Sequence, residues 1–79
     1  MDKEAIVKAL FKLYRNQCNQ MWSTDGDTAE QYRKIAVGLY LAAGSIIGLA
    51  FEPIESLEWL DMLEDAYNTH FLRSAKLTD

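Results

Sequence analysis

Acidic side chains recur every three or four residues in the C-terminal third of the chain, with one methionine among them. Residues at this spacing share one face of an α-helix, so we predict an acidic face that carries an exposed thioether. Such a face suits Lys and Arg on a protein partner, although acidic helix faces are more often only solvated. The residues predicted to bind a partner are Glu55, Glu58, Asp61, Met62 and Asp65.

The other reactive side chains form no arrangement typical of catalysis or metal binding. The only histidine, His70, and the only cysteine, Cys18, fall on apolar helix faces, where a cysteine behaves as a small hydrophobe. The carboxylates of the acidic face point away from His70, and the chain lacks the Glu-x-x-His pairs of di-metal helix bundles. We therefore expect no enzymatic activity, no metal and no cofactor.

Charge is divided unevenly between the two halves of the chain. The net charge is −4, with six Lys/Arg against five Asp/Glu in residues 1–34 and two against seven in residues 35–79. Nucleic-acid binding requires clustered Lys and Arg, and Lys8, Lys12 and Arg15 form only a short basic row. We expect this row to stay in water or to pair with the acidic face, within the chain or across a dimer. The expected partner is a protein with a basic surface rather than nucleic acid.

The cellular compartment is inferred from the single cysteine and from the first residues. One cysteine cannot form an intrachain disulfide, which favours a reducing compartment. The sequence from Met1 to Glu4 lacks the basic and apolar regions of a secretory signal. We therefore expect a cytoplasmic protein.

Residues 3–22 predict a helix, since they contain no Gly or Pro and repeat apolar side chains on one helical face. This apolar stripe covers roughly half of the helix surface, which is more than a small domain usually buries within itself. We therefore predict that part of the stripe meets a second copy of the chain. The residues predicted for this self-association are Phe11, Tyr14, Cys18 and Trp22.

A loop should follow, and a second helix is predicted over residues 28–51. Gly26 supplies the turn, and Asp27 with Glu30 predicts a capping box, in which the carboxylate reaches back to the N-cap amide. The seventeen residues from 35 to 51 are uncharged, which places them at the lower limit for a membrane span of roughly 20 residues. A helix that is apolar all round is either buried on every side or in a membrane. We favour a buried helix that is wrapped by its two neighbours.

Pro53 should end the second helix and begin a third, over residues 53–74, because proline disfavours the α conformation in the preceding residue but suits a first helical turn. The expected fold is one all-α domain, residues 1–79. It is a three-helix bundle with a long apolar central helix, and we expect it to associate as a homodimer.

The favoured function is that of a small acidic binding protein that modulates or inhibits a larger protein through its acidic face. Its size and charge are typical of small inhibitors and adaptors encoded by phages and mobile elements. Two alternatives remain open. One is a structural subunit of a larger assembly, and the other is a single-pass membrane protein spanning residues 35–51.

Overall fold

The computed structural model describes residues 2–72 and contains three α-helices in that range. α1 spans Lys3–Ser23, α2 spans Gly26–Ala50 and α3 spans Pro53–Ala66, after which a π-helical turn covers Tyr67–Phe71. No strand occurs among the described residues. The prediction of an all-α three-helix fold is therefore confirmed. The last two residues of the predicted third helix lie outside the described range, and a π turn replaces α-helix from Tyr67 to Phe71.

The start of α2 differs from the prediction by two residues. Gly26 adopts a φ of +64°, a conformation that side chains with a Cβ rarely adopt, and this turn lets the helix begin before Asp27. Asp25 therefore occupies the N-cap, although its side chain makes no capping hydrogen bond. The predicted capping box is wrong, because Glu30 instead accepts hydrogen bonds from the guanidinium of Arg33 at 2.8 and 3.0 Å.

The junction at Pro53 forms as the sequence predicts. α2 ends at Ala50, Phe51 and Glu52 are extended, and Pro53 is the first residue of α3. The ammonium group of Lys3 donates a hydrogen bond to the Ala50 carbonyl at 3.1 Å and lies 4.7 Å from the centre of the Phe51 ring. The start of α1 thus covers the end of α2, so these two helices run antiparallel.

The core consists of two apolar clusters along the contact between α1 and α2. One cluster lies near the α2–α3 junction and receives Leu63 from α3, and the other lies toward the opposite end of α1. α3 returns along α2, because a Cβ built on Gly44 would lie 3.7 Å from Cδ2 of Leu63. The buried residues of the first cluster are Val7, Ala43, Ile47, Phe51 and Leu63, and those of the second are Tyr14, Cys18 and Ala36.

The expectation that α2 is wrapped on every side is wrong. The residues of α2 that are buried are Ala36, Ala43 and Ile47, whereas Leu41 and Leu49 are 60% and 89% exposed. α2 does lie between the other two helices, but both pack on the same half of its circumference. An apolar surface of α2 therefore faces outward along most of its length.

Candidate functional site

A groove runs between α1 and α3 on the side of the fold away from the exposed surface of α2. It consists of two adjoining depressions of about 410 and 180 Å³. Both depressions are lined by Phe11, Met62, Ala66 and His70. We call this feature the α1–α3 groove.

One wall of the α1–α3 groove belongs to the predicted acidic face. Asp61, Met62 and Asp65 line the larger depression, and Met62 is half exposed. Glu58 lies exposed on the same helix, whereas Glu55 is half-buried. The structure therefore brings together three of the five predicted partner-binding residues at the groove and leaves Glu55 and Glu58 outside its lining.

The opposite wall is the basic row of α1. Lys8, Lys12 and Arg15 are exposed and line the smaller depression together with Trp59. Among residues 2–72, the only ion pair between a Lys or Arg and a carboxylate joins Arg33 to Glu30. The basic row and the acidic face are therefore on opposite sides of one groove without forming the intrachain pairs that the sequence suggested as one alternative.

The floor of the α1–α3 groove is apolar and held in place by ring contacts. The rings of Phe11 and Trp59 meet edge to face, with centroids 6.0 Å apart, a favoured geometry for aromatic pairs. Trp59 also packs on Phe51 at 5.4 Å, which connects the floor to the core. At the far end, the indole of Trp22 donates a hydrogen bond to the His70 carbonyl at 2.8 Å, which ties the end of α1 to the π turn.

The prediction that Tyr14 and Cys18 form the rim of a self-association seam is wrong, because both side chains have no exposed surface within the single chain. The small side chains of Ala36 and Ala43 on α2 are also fully buried, so α1 approaches closely and buries its own stripe. Phe11 is half-buried in the α1–α3 groove, and Trp22, at 39% exposure, is the most accessible of the four predicted seam residues.

Burial also shifts the pKa of both core residues, Tyr14 and Cys18. It raises the pKa of the Tyr14 hydroxyl far above its ordinary value, and the neighbouring thiol of Cys18 adds to this effect. Burial likewise raises the pKa of the Cys18 thiol, an effect that the hydroxyl of Tyr14 partly offsets. The thiol therefore stays neutral near pH 7, which is the opposite of what an activated nucleophile requires.

Sequence reasoning missed an aromatic pocket of about 280 Å³ on another part of the surface. It lies between α2 and the π turn, with Arg33 among its lining residues. Tyr67 and Phe71 stack with centroids 5.2 Å apart, and their spacing of four residues was the available signal. Arg33 is already bound to Glu30, which lowers the pKa of that carboxyl. The lining residues are Tyr14, Arg33, Val37, Tyr40, Leu41, Tyr67 and Phe71.

Two further properties of residues 2–72 concern metals and membranes. No group of three or more His, Cys, Asp or Glu side chains in that range is placed to hold a metal ion. α2 is long and apolar enough to cross a membrane by length and composition, and 17% of its most apolar 18-residue stretch is buried in the fold. A core helix of a soluble protein meets the same criteria, so this finding is weak support for a span.

Comparison with known proteins gives no functional information, since no protein-family model, no curated protein and no solved structure matches this chain.

Proposed function

We propose that this protein is a small, non-enzymatic binding module that takes a basic amphipathic helix of a larger protein into the α1–α3 groove and thereby modulates or blocks that protein. The observation that carries the proposal is the half-exposed Met62 between Asp61 and Asp65 on the wall of an apolar groove. We further propose that it acts in the cytoplasm and that it associates with itself.

The floor and the acidic wall of the groove suit different parts of such a helix. Phe11, Met62 and Ala66 offer apolar surface, against which an amphipathic helix can place its apolar stripe, as in other helix-in-groove complexes. The thioether of Met62 is flexible and polarisable, and such side chains are common at binding surfaces that adapt to a partner. Asp61 and Asp65 would then meet Lys or Arg at the edge of the bound helix.

The two walls would also orient the ligand, because they differ in charge. A helix with basic residues along one edge and acidic residues along the other would place the basic edge against Asp61 and Asp65. Its acidic edge would then face Lys8 and Lys12 on α1. Complementary charge of this kind contributes to association rate and specificity more than to affinity. A nucleic acid would bring phosphates onto both walls, and the acidic wall opposes that.

The proposal is tested by reversing the charge of one carboxylate that lines the groove and, as a control, of one carboxylate outside it. Asp61→Lys reverses a carboxylate that lines the groove, and Glu64→Lys makes the same change of charge at an exposed position of the same helix outside the lining. Each variant and the unmodified protein serve as bait for affinity capture from the cells that make the protein, followed by mass spectrometry. We expect a protein that is captured by the unmodified bait and by Glu64→Lys but lost with Asp61→Lys.

Kinetics separate the roles of charge and apolar contact once the captured protein is purified. Asp61→Asn should mainly slow association and reduce its dependence on salt, whereas Met62→Ala should mainly accelerate dissociation. Equal capture by the unmodified protein and by Asp61→Lys, or equal loss with both charge variants, contradicts the proposed site.

A membrane protein is the second candidate, and the exposed apolar surface of α2 is the observation in its favour. As a span, α2 would have to separate from α1, with which it shares the buried cluster that contains Val7, Ala43 and Ile47. Fractionation of cells without detergent separates the two candidates. Recovery of the protein in the membrane pellet supports the second candidate, and recovery in the supernatant supports the first.

A further inference from the structure

The outward side of α2 carries a regular pattern of small and large residues. Successive members of the pattern are separated by four or three positions, which is the spacing of a coiled-coil seam. At 3.6 residues per turn they fall within a sector of about 80°, and each is exposed. We call this sector the outer face of α2. Its residues are Lys34, Gly38, Leu41, Ser45 and Gly48.

We infer that two copies of this chain pair through the outer face of α2, with the two helices antiparallel about a two-fold axis at the level of Ala43. In this register Gly38 lies opposite the partner's Gly48, and Leu41 lies opposite the partner's Ser45. The reciprocal contacts have the same composition, as a two-fold interface requires. This inference rests on the self-association proposed above and gives it a surface, and it is independent of the α1–α3 groove, which is on the other side of the fold.

The sizes of the paired residues suit close packing. Gly38 against the partner's Gly48 brings two backbones together, and the side chain of Leu41 fills the space above the partner's Ser45. A Cβ built on Gly38 or on Gly48 meets no atom within 4 Å in the single chain, so nothing inside the fold requires glycine there. Glycine in a helix interior reduces helix stability, and close approach of a second chain is a physical reason for its presence.

Charge selects a second copy in antiparallel orientation. Lys34 precedes the uncharged segment, and Glu52 lies just beyond its end. The ammonium group of Lys3 already lies at the end of α2, on the Ala50 carbonyl, whereas Glu52 is exposed and forms no ion pair with a Lys or Arg of residues 2–72. The antiparallel register brings the partner's Lys34 to this end and to Glu52, at both ends of the interface. A parallel register would instead place two lysines together.

The exposure of the flanking side chains shows that the surface is apolar beyond the seam itself. Leu41 is 60% exposed, and beside the seam Ile35 and Leu49 are 50% and 89% exposed. Soluble monomers rarely expose a large contiguous apolar surface, and such surfaces mark contacts with proteins or membranes. Burial of these side chains against a second copy would remove them from water.

The test measures the mass of the full-length protein in detergent-free buffer by light scattering and analytical ultracentrifugation. Gly38→Gln places a larger side chain in the seam without a clash inside the single chain. Thr28→Gln places the same side chain on an exposed position of α2 outside the seam. We expect a dimer for the unmodified protein and for Thr28→Gln. For Gly38→Gln we expect a dissociation constant raised by about tenfold or more, with unchanged helicity by circular dichroism.

Charge exchange tests the register independently of the glycines. Lys34→Glu and Glu52→Lys should each weaken the dimer, and the double variant should restore it, because the pair is then reversed but complementary. A monomeric unmodified protein, a dimer that persists in Gly38→Gln, or a double variant no stronger than the single ones overturns the inference. Cosedimentation of the protein with vesicles of phosphatidylcholine and phosphatidylglycerol also overturns it, in favour of lipid as the occupant of this face.

Discussion

Tyr14 is the largest side chain that is fully buried in the fold, and its hydroxyl has no hydrogen-bond partner among residues 2–72. The Cys18 thiol is its neighbour and contributes to the rise of its pKa. The Oε1 atom of Gln17 is also buried without a partner in this range. A buried polar group without a partner costs roughly 1–3 kcal/mol, so this part of the core is stabilised by packing rather than by polar contacts.

Substitutions at Tyr14 should separate the contribution of its ring to the free energy of unfolding from that of its hydroxyl. Tyr14→Phe keeps the ring and removes the desolvated hydroxyl, so we expect the free energy of unfolding to stay within about 1 kcal/mol of the original or to rise. Tyr14→Ala should lower it by about 3–5 kcal/mol, which is comparable to the total stability of a domain of this size. Urea denaturation followed by circular dichroism measures both, and a large loss in Tyr14→Phe would show that the hydroxyl has a stabilising partner.

Stability should fall at alkaline pH because of the same two residues. Burial raises the pKa of both Tyr14 and Cys18 in the folded chain, so the unfolded chain loses their protons first. The free energy of unfolding therefore stays at its full value below the ordinary pKa of a thiol, about 8.5, and falls as the pH rises above it. Urea denaturation across this pH range should show a smaller decline in Cys18→Ala and in Tyr14→Phe than in the unmodified protein. Equal declines would contradict the role assigned to burial.

At individual positions, the charge of a side chain predicted its exposure more reliably than apolar character predicted where a side chain is buried. The side chains of Glu58, Asp61 and Asp65 were predicted to face outward, and they are exposed, because a carboxylate without a partner is costly to bury. Tyr14 and Cys18 were assigned to a seam with a second chain but lie inside the fold. An apolar residue is compatible with a core or an interface, and the sequence alone does not distinguish them.

The helices themselves were largely predictable, since their ends depend on local chemistry. α1 begins and ends within one residue of the prediction, and α3 begins at Pro53 as expected. The start of α2 was misplaced because three residues in Asp25–Asp27 are each compatible with a helix start, and the left-handed φ of Gly26 decides among them. The π turn that follows α3 has no comparable local signal.

Two helix N-caps provide a matched comparison. The side chain of Asp2 accepts a hydrogen bond from the backbone N–H of Glu4 at 3.1 Å, whereas the side chain of Asp25 makes no capping bond. Asp2→Ala should therefore lower the free energy of unfolding by about 1 kcal/mol, and Asp25→Ala should lower it by clearly less. Thermal unfolding of the two variants measures the difference, and the reverse order would contradict the assigned caps.

The three helices together leave two separate surfaces uncovered, the α1–α3 groove and the outer face of α2. The described chain is flattened, with extents of 39 × 29 × 15 Å, which is consistent with helices that do not fully enclose one another. The sequence suggested, as one alternative, that the basic row of α1 approaches the acidic face of α3 within the chain. It did not indicate the groove between them, which depends on the parallel course of these two helices. The exposed side of α2 was not predictable either, since a helix that is apolar all round does not indicate which side its neighbours cover.

Site-specific photo-crosslinking in living cells tests most directly whether the α1–α3 groove binds another protein. p-Benzoylphenylalanine replaces Met62, which lines the groove, and in a control it replaces Leu57, an apolar residue of the same helix that is 64% exposed outside the groove lining. We predict a crosslinked product with a different protein from position 62 and little or none from position 57. Crosslinking that is absent from position 62, or equal at the two positions, would contradict a binding function for the groove.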